Sequence, residues 1–216
     1  MTNDNEMTLP SYILKSLNGA WKLVQARQNP MQYFDLSSDG FWKSFWAIAV
    51  MIPAFILWAM FNLQGGSQEI REGFEISYPL LSEGIYFALA LPLTAMVMAY
   101  FTKFMKISDN FSSMVIAYNW VSALIYIIMA IFTMIFLSGI VGGQISVVVL
   151  MMLRFYFGFY VLWFTFRHSL QISGMLAAGV LIFVKLLDTS MQVLIYKIFN
   201  PDYFDAVIAV ASNPPS

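Results

Sequence analysis

The chain contains no cysteine and only one histidine. The first absence excludes disulfides, thiolate catalysis and cysteine-based metal sites. The single histidine, His168, stands beside Arg167 near the end of an apolar segment, where we expect an interface residue rather than a catalyst. Zinc-protease, phosphate-loop and EF-hand motifs are also missing. The sequence therefore predicts no enzymatic activity, no metal and no cofactor.

Charged residues are also scarce in this chain. Only 11% of residues are charged and 60% are hydrophobic, whereas an ordinary soluble domain has about 25% charged residues. Residues 111–153 contain no charge at all. One crossing of a bilayer takes roughly 20 apolar residues, so this run predicts two helices and a glycine-containing turn at 138–144. The net charge of −1 gives no basic surface for nucleic acid.

Five segments are long and apolar enough to cross a membrane. Helix is the expected conformation for each, because unpaired backbone amides cost several kcal/mol in lipid. The sequence thus predicts an all-α fold, a polytopic membrane helical bundle with five transmembrane helices within residues 41–199 and a short external tail at 200–216. The predicted spans are 45–63, 84–102, 111–137, 144–166 and 169–197.

Lysine and arginine are distributed unequally between the two predicted sides. Seven precede the first span or lie in the second and fourth connections, namely Lys15, Lys22, Arg27, Lys43, Lys103, Lys106 and Arg167. The other side holds Arg71 and Lys197. This asymmetry predicts a cytoplasmic N-terminus and a C-terminus outside. The first external loop is expected to be acidic, with Glu69, Glu72, Glu75 and Glu83.

The cytoplasmic segment 1–40 is expected to contain one amphipathic helix over about 11–28. Its apolar residues recur at helical spacing, opposite three cations. They are Ile13, Leu14, Leu17, Trp21 and Val24, and the cations are Lys15, Lys22 and Arg27. Such a helix suits the headgroup region of an anionic leaflet, and it equally suits packing under the bundle.

Three charges fall inside the predicted fourth and fifth spans: Arg154, Lys185 and Asp188. Each costs roughly 2.5–3.5 kcal/mol at the bilayer centre if left alone. Lys185 and Asp188 share a helix face, and the antiparallel fourth span brings Arg154 to a similar depth. We expect an intramembrane charge cluster, with Tyr156, Ser190 and Gln192 as neighbours. It is either a polar site for an anion, a lipid headgroup or a proton relay, or a clamp that fixes helix register.

Asp35-Leu36, followed by Gly40-Phe41-Trp42 at the entry to the first span, resembles the Asp-Leu-Tyr-Gly-Pro-Phe-Trp signature of the Yip family of Ypt/Rab-interacting membrane proteins. The predicted topology is similar to that family's. The resemblance implies a bacterial-type member in the inner membrane, whose partners are the lipid bilayer and other membrane proteins or itself. Ser37-Ser38-Asp39 replaces the motif's Tyr and its Pro is missing, which argues against binding of a small GTPase.

Two functions follow from these observations. The resemblance implies a non-enzymatic Yip-like scaffold or partner subunit of a membrane complex. The alternative is a small transporter or channel component that uses the charged site of spans four and five. A transporter requires a water-accessible cavity near those charges, whereas a scaffold can seal them between helices.

Overall fold

A computed structural model describes residues 8–27, 29–64, 68–71, 74–76, 78–138 and 142–212. Its helices are α1 (Leu9–Val24), α2 (Ser38–Lys43), α3 (Trp46–Gln64), α4 (Leu80–Phe104), α5 (Phe111–Leu137), α6 (Gly143–Phe155), α7 (Leu162–Leu170), α8 (Gly174–Phe199) and α9 (Pro201–Ser212). Short 3-10 turns at Pro30–Tyr33 and Ser108–Asn110 and a π-helical segment at Tyr156–Val161 complete the helical structure.

Five of the helical segments are long and apolar enough to cross a membrane, which confirms the predicted bundle. They are span one (Ser38–Leu63), span two (Leu80–Phe104), span three (Ser108–Phe136), span four (Gly143–Leu170) and span five (Gly174–Phe199). Span one begins before the predicted 45 and ends as predicted, and span two is longer than the predicted 84–102 at both ends. Span four continues beyond the predicted 166 to Leu170, so span five begins at Gly174 and not at 169. The reason is that helical hydrogen bonding continues through polar residues at the membrane edge, where hydropathy no longer marks the helix.

The connection between spans one and two contains a β-hairpin that the sequence did not predict. Strand β1 (Gln68–Arg71) pairs antiparallel with β2 (Phe74–Ile76); Glu72 of the predicted acidic loop lies outside the described residues. The predicted tail, 200–216, is largely helical, because α9 occupies Pro201–Ser212 and contacts both α8 and β2. Residues 213–216 also lie outside the described residues. The hairpin and α9 thus share one end of the bundle.

Helix α5 is the centre of the bundle and packs against α1, α3 and α7. Its buried residues all fall in its first half, between Met114 and Ala123, and Trp120 is the largest side chain fully enclosed among the described residues. We refer to the half of the bundle that contains this core and α1 as the α1 half. The opposite half, which carries the hairpin and α9, is the hairpin half.

Helix α1 packs on the bundle and ends at Val24, earlier than the predicted 11–28. Of its predicted stripe, Val24 is buried and Ile13 and Leu17 pack against the core. Its interior positions include the small residues Ser16 and Ala20, whereas Leu14 and Trp21 are exposed. Helices in lipid gain little from burying one apolar side chain in place of another. Small residues that permit close approach therefore select the packed face, and Leu14 and Trp21 are left to face the surroundings.

Three hydrogen bonds attach α1 to three different spans. The Tyr12 hydroxyl donates to the Gly40 carbonyl at 3.0 Å and accepts from the Trp120 indole at 3.4 Å. At the other end of α1, the Tyr156 hydroxyl donates to the Val24 carbonyl at 2.8 Å. Tyr156 stands near the middle of span four, so α1 extends deep into the α1 half rather than resting only on its end.

Candidate functional site

Asp188, in the middle of α8, is bound by a tyrosine from another span. Its Oδ1 accepts a hydrogen bond from the Tyr86 hydroxyl of α4 at 2.5 Å. Helices α4 and α8 pack closely along their length, which brings these two residues together. A hydrogen bond from a phenol stabilises a carboxylate without supplying a positive charge.

The ion pairs expected among Arg154, Lys185 and Asp188 are not formed. Within the described parts of the chain, the only ion pair closer than 4.0 Å joins Lys43 and Asp39 on α2. The prediction considered only the contact between spans four and five. It missed α4, whose tyrosine takes the place at Asp188 that a cation was expected to fill.

The other members of the predicted cluster have separate surroundings. The Lys185 ammonium approaches Gly158 in the π-helical segment of span four, with its Nζ 3.8 Å from the position that a Cβ there would take. The expected neighbour Tyr156 is engaged with α1, and Ser190 is exposed. Only Gln192 and Arg154 meet at a common feature, a cavity in the bundle.

This central cavity has a volume of about 350 Å³ and is lined by residues from all five spans. Its polar and aromatic wall includes Trp58, Glu83, Tyr86, Tyr126, Arg154 and Gln192. The Asp188 carboxylate lies behind Tyr86. Because the packed part of α5 ends at Ala123, while Tyr126 and Ala130 line the cavity, the opening belongs to the hairpin half.

Glu83 is a site residue that the sequence reading assigned only to the acidic loop. It occupies the first turn of α4, where a carboxylate is stabilised by the free amides of the helix N-terminus. Its Oε1 accepts a hydrogen bond from the Tyr196 hydroxyl of α8, and Gln192 donates to the same hydroxyl at 3.4 Å. No lysine or arginine nitrogen in the described residues lies within 4.0 Å of this carboxylate.

The tyrosines that neighbour Glu83 beyond the spans are neutral. Burial, together with the negative charge of Glu83, raises the pKa of Tyr78 to about 12. The same two causes raise the pKa of Tyr203 above its usual value. These phenols therefore keep their protons at physiological pH and add no charge beside Glu83.

A signal for this arrangement is present in the sequence. Asp188, Gln192 and Tyr196 recur every four residues and so occupy one face of α8, while Glu83 and Tyr86 are three apart on α4. Two polar faces of that kind predict a polar contact between helices. The sequence alone does not say that span two, rather than span four, faces the polar side of span five.

The family-like motif has a structural role at the entry to span one. The Ser37 amide donates to Asp35 Oδ1 at 3.0 Å, and the Ser37 hydroxyl caps α2 by accepting from the Gly40 amide at 3.1 Å. A Cβ on Gly40 would lie 2.1 Å from the Asp35 carbonyl oxygen. Glycine is thus required because the capping loop folds directly over the helix.

The remaining motif residues differ in their contacts. The Phe41 ring packs edge-to-face on Trp42 and Phe45 and lies 6.1 Å from the Phe111 ring of span three. Leu36 and Trp42 are exposed. Phe41 therefore joins spans one and three, while Trp42 is free to contact lipid at the membrane edge.

Comparisons with protein-family models, with curated proteins and with solved structures found no match for this chain. The resemblance to the Yip family stays a prediction. The protein is an integral-membrane type of helical bundle with five candidate spans, and its function has to be argued from the cavity.

Proposed function

We propose that this protein is a small transporter or channel component that admits a solute into the central cavity. One observation carries the proposal: Glu83 and Arg154, of opposite charge, line the same cavity and are not paired with each other. Charges in the interior of a membrane protein are costly unless they are paired or hydrated. A cavity with two unpaired charges calls for water or a polar ligand.

The scaffold alternative accounts less well for this arrangement. A clamp that fixes helix register brings its charges into contact, as buried ion pairs do. Here Asp188 is bound to a neutral phenol and Arg154 faces open space. The proposal requires no catalysis, and the packed core of the α1 half closes the cavity on one side.

The proposed orientation places the N-terminus and the α1 half on the cytoplasmic side of a bacterial inner membrane, with the cavity opening on the outer side. The support is the excess of lysine and arginine on the N-terminal side. Reporter fusions at Ser108 and Asn213 are expected to give a cytoplasmic and an external signal, respectively. If both reporters lie on the same side of the membrane, an even number of spans separates them, which would contradict the three spans predicted between these positions.

Thiol labelling tests whether water reaches the cavity, and the natural absence of cysteine makes the experiment clean. In intact cells, Ala130→Cys on the cavity wall is expected to react with a small membrane-impermeant thiol reagent added outside. The thiolate is the nucleophile that attacks such reagents, and it forms readily only where water is present. The matched control Ile131→Cys is next along α5, at the same depth, but is exposed outside the cavity and is expected to face lipid.

A second control, Ala123→Cys, lies in the fully packed part of α5. Labelling of Ala130→Cys alone supports a hydrated cavity. If Ala130→Cys stays unreactive, or reacts no faster than Ile131→Cys and Ala123→Cys, the cavity is dry and the transport proposal fails in favour of a sealed scaffold.

A further inference from the structure

We propose that the central cavity binds a small zwitterion, with its cationic group beside Glu83 and its anionic group beside Arg154. This inference rests on the proposed function, because it names the class of solute that the hydrated cavity takes. The essential observation is that the two side chains share one cavity wall yet lie more than 4.0 Å apart. A molecule that carries both charges satisfies both residues at once.

The surroundings of Glu83 favour a cation. Its hydrogen-bond donor is the neutral phenol of Tyr196, and no described lysine or arginine nitrogen lies within 4.0 Å, so no side-chain cation balances its charge. The cavity wall also carries aromatic rings. Phe55 and Phe87 stack at 4.4 Å between ring centroids, and Trp58 stands on the same side of the cavity as Phe55, one helical turn along α3. Ring faces attract ammonium groups, and Trp does so most strongly.

Arg154 favours the anionic group of the ligand. A guanidinium binds carboxylate or phosphate oxygens through two parallel hydrogen bonds. Arg154 sits in the last turn of α6, directly before the π-helical segment, and no described carboxylate lies within 4.0 Å of it. Asp188 on α8, the acid nearest in depth to Arg154, already accepts a hydrogen bond from the Tyr86 hydroxyl. No carboxylate of the described residues is therefore placed to pair with Arg154, and in the proposal the ligand supplies that anion.

The size of the cavity limits the ligand. A volume of about 350 Å³ equals roughly twelve water molecules at 30 Å³ each. This admits an amino acid or a betaine, or the headgroup of a zwitterionic lipid whose chains remain in the bilayer.

Matched probes separate a zwitterion site from a site for one charge. Glycine betaine carries both charges, 3,3-dimethylbutyrate has the same shape without the cation, choline lacks the anion, and L-leucine is a zwitterion with a primary ammonium. Binding is measured by equilibrium dialysis against the full-length protein in nanodiscs of anionic phosphatidylglycerol. We expect glycine betaine or L-leucine to bind at least about tenfold more tightly than both single-charge probes.

Substitutions test the two charged contacts. Glu83→Gln keeps the oxygen that accepts from Tyr196 but loses the charge, so it is expected to weaken zwitterion binding about tenfold and to leave 3,3-dimethylbutyrate unaffected. Arg154→Gln is expected to weaken the zwitterion and 3,3-dimethylbutyrate together. Arg167→Gln is the control, because that cation stacks on Trp163 near the other end of span four.

The source of the ligand is distinguished by lipid. If the site takes a lipid headgroup, replacing part of the phosphatidylglycerol with phosphatidylethanolamine will abolish binding of the free zwitterion; if it takes a free solute, binding will be unchanged. Equal binding of choline or 3,3-dimethylbutyrate, or no binding of either zwitterion, overturns the inference. In the latter case, selective labelling of Ala130→Cys would still uphold the hydrated cavity, so the two proposals fail separately.

Discussion

Gly40→Ala is expected to lower the free energy of unfolding by about 3 kcal/mol, at the upper end of the cost of overpacking. The added methyl group would lie 2.1 Å from the Asp35 carbonyl oxygen, and that oxygen is backbone rather than a flexible side chain. Relief of the clash requires the capping loop to move away from α2. That movement also strains the hydrogen bond between Tyr12 and the Gly40 carbonyl, which attaches α1.

Gly179→Ala is the matched control, because a Cβ at Gly179 in α8 meets nothing within 4 Å. An alanine in an open helical position is expected to stabilise by about 0.5–1 kcal/mol. Unfolding of the purified proteins in detergent, followed by circular dichroism, measures both. Equal stability of the two variants would show that the loop at Asp35 yields without cost, and the motif would then need another explanation.

Trp120→Ala is also expected to lower the free energy of unfolding by about 3 kcal/mol. It removes the largest fully enclosed side chain of the described core and leaves a cavity. The Tyr12 ring packs edge-to-face on Trp120 at 5.7 Å between centroids. Loss of that contact loosens α1 as well as destabilising the bundle. We therefore expect faster tryptic cleavage at Lys22 and Arg27 than in the unaltered protein.

Trp46→Ala provides the comparison for a tryptophan that is 47% exposed at the start of α3. In a bilayer this side chain meets lipid in both the folded and the dissociated helices, so its removal is expected to change stability by less than about 1 kcal/mol. Cleavage at Lys22 and Arg27 should stay slow. If both variants lose the same stability, the enclosed position of Trp120 contributes nothing beyond its general apolar character.

The five spans could be predicted from the sequence because a charge in the hydrocarbon core is costly whatever the tertiary structure, so long uncharged segments mark the spans. It was insufficient for the partners of the buried charges. Asp188 is bound by Tyr86, about a hundred residues away, and that pairing follows from the packing of α4 on α8. The prediction looked for partners only between spans four and five, which are neighbours in the sequence, and so did not include span two.

The role of Glu83 and the packed face of α1 were not predicted from the sequence, for two further physical reasons. Glu83 immediately precedes the predicted start of span two, and helix continues through it since its hydrogen bonding does not depend on hydropathy. On α1, the predicted stripe was chosen by apolar character, whereas the packed face is chosen by close approach at Ser16 and Ala20. The helix was predicted correctly, and Ile13, Leu17 and Val24 of its predicted stripe contact the core, whereas Leu14 and Trp21 are exposed.

The bond between Tyr156 and Val24 also imposes an order of events during synthesis. The two residues are separated by 132 positions, so at about 5–20 residues per second the ribosome needs roughly 7 to 26 seconds to deliver Tyr156 after Val24. Throughout that interval α1 has no partner in span four. The contacts of α1 with the bundle are therefore complete only after span four has been made, although Gly40 and Trp120, its other two hydrogen-bond partners, are made earlier.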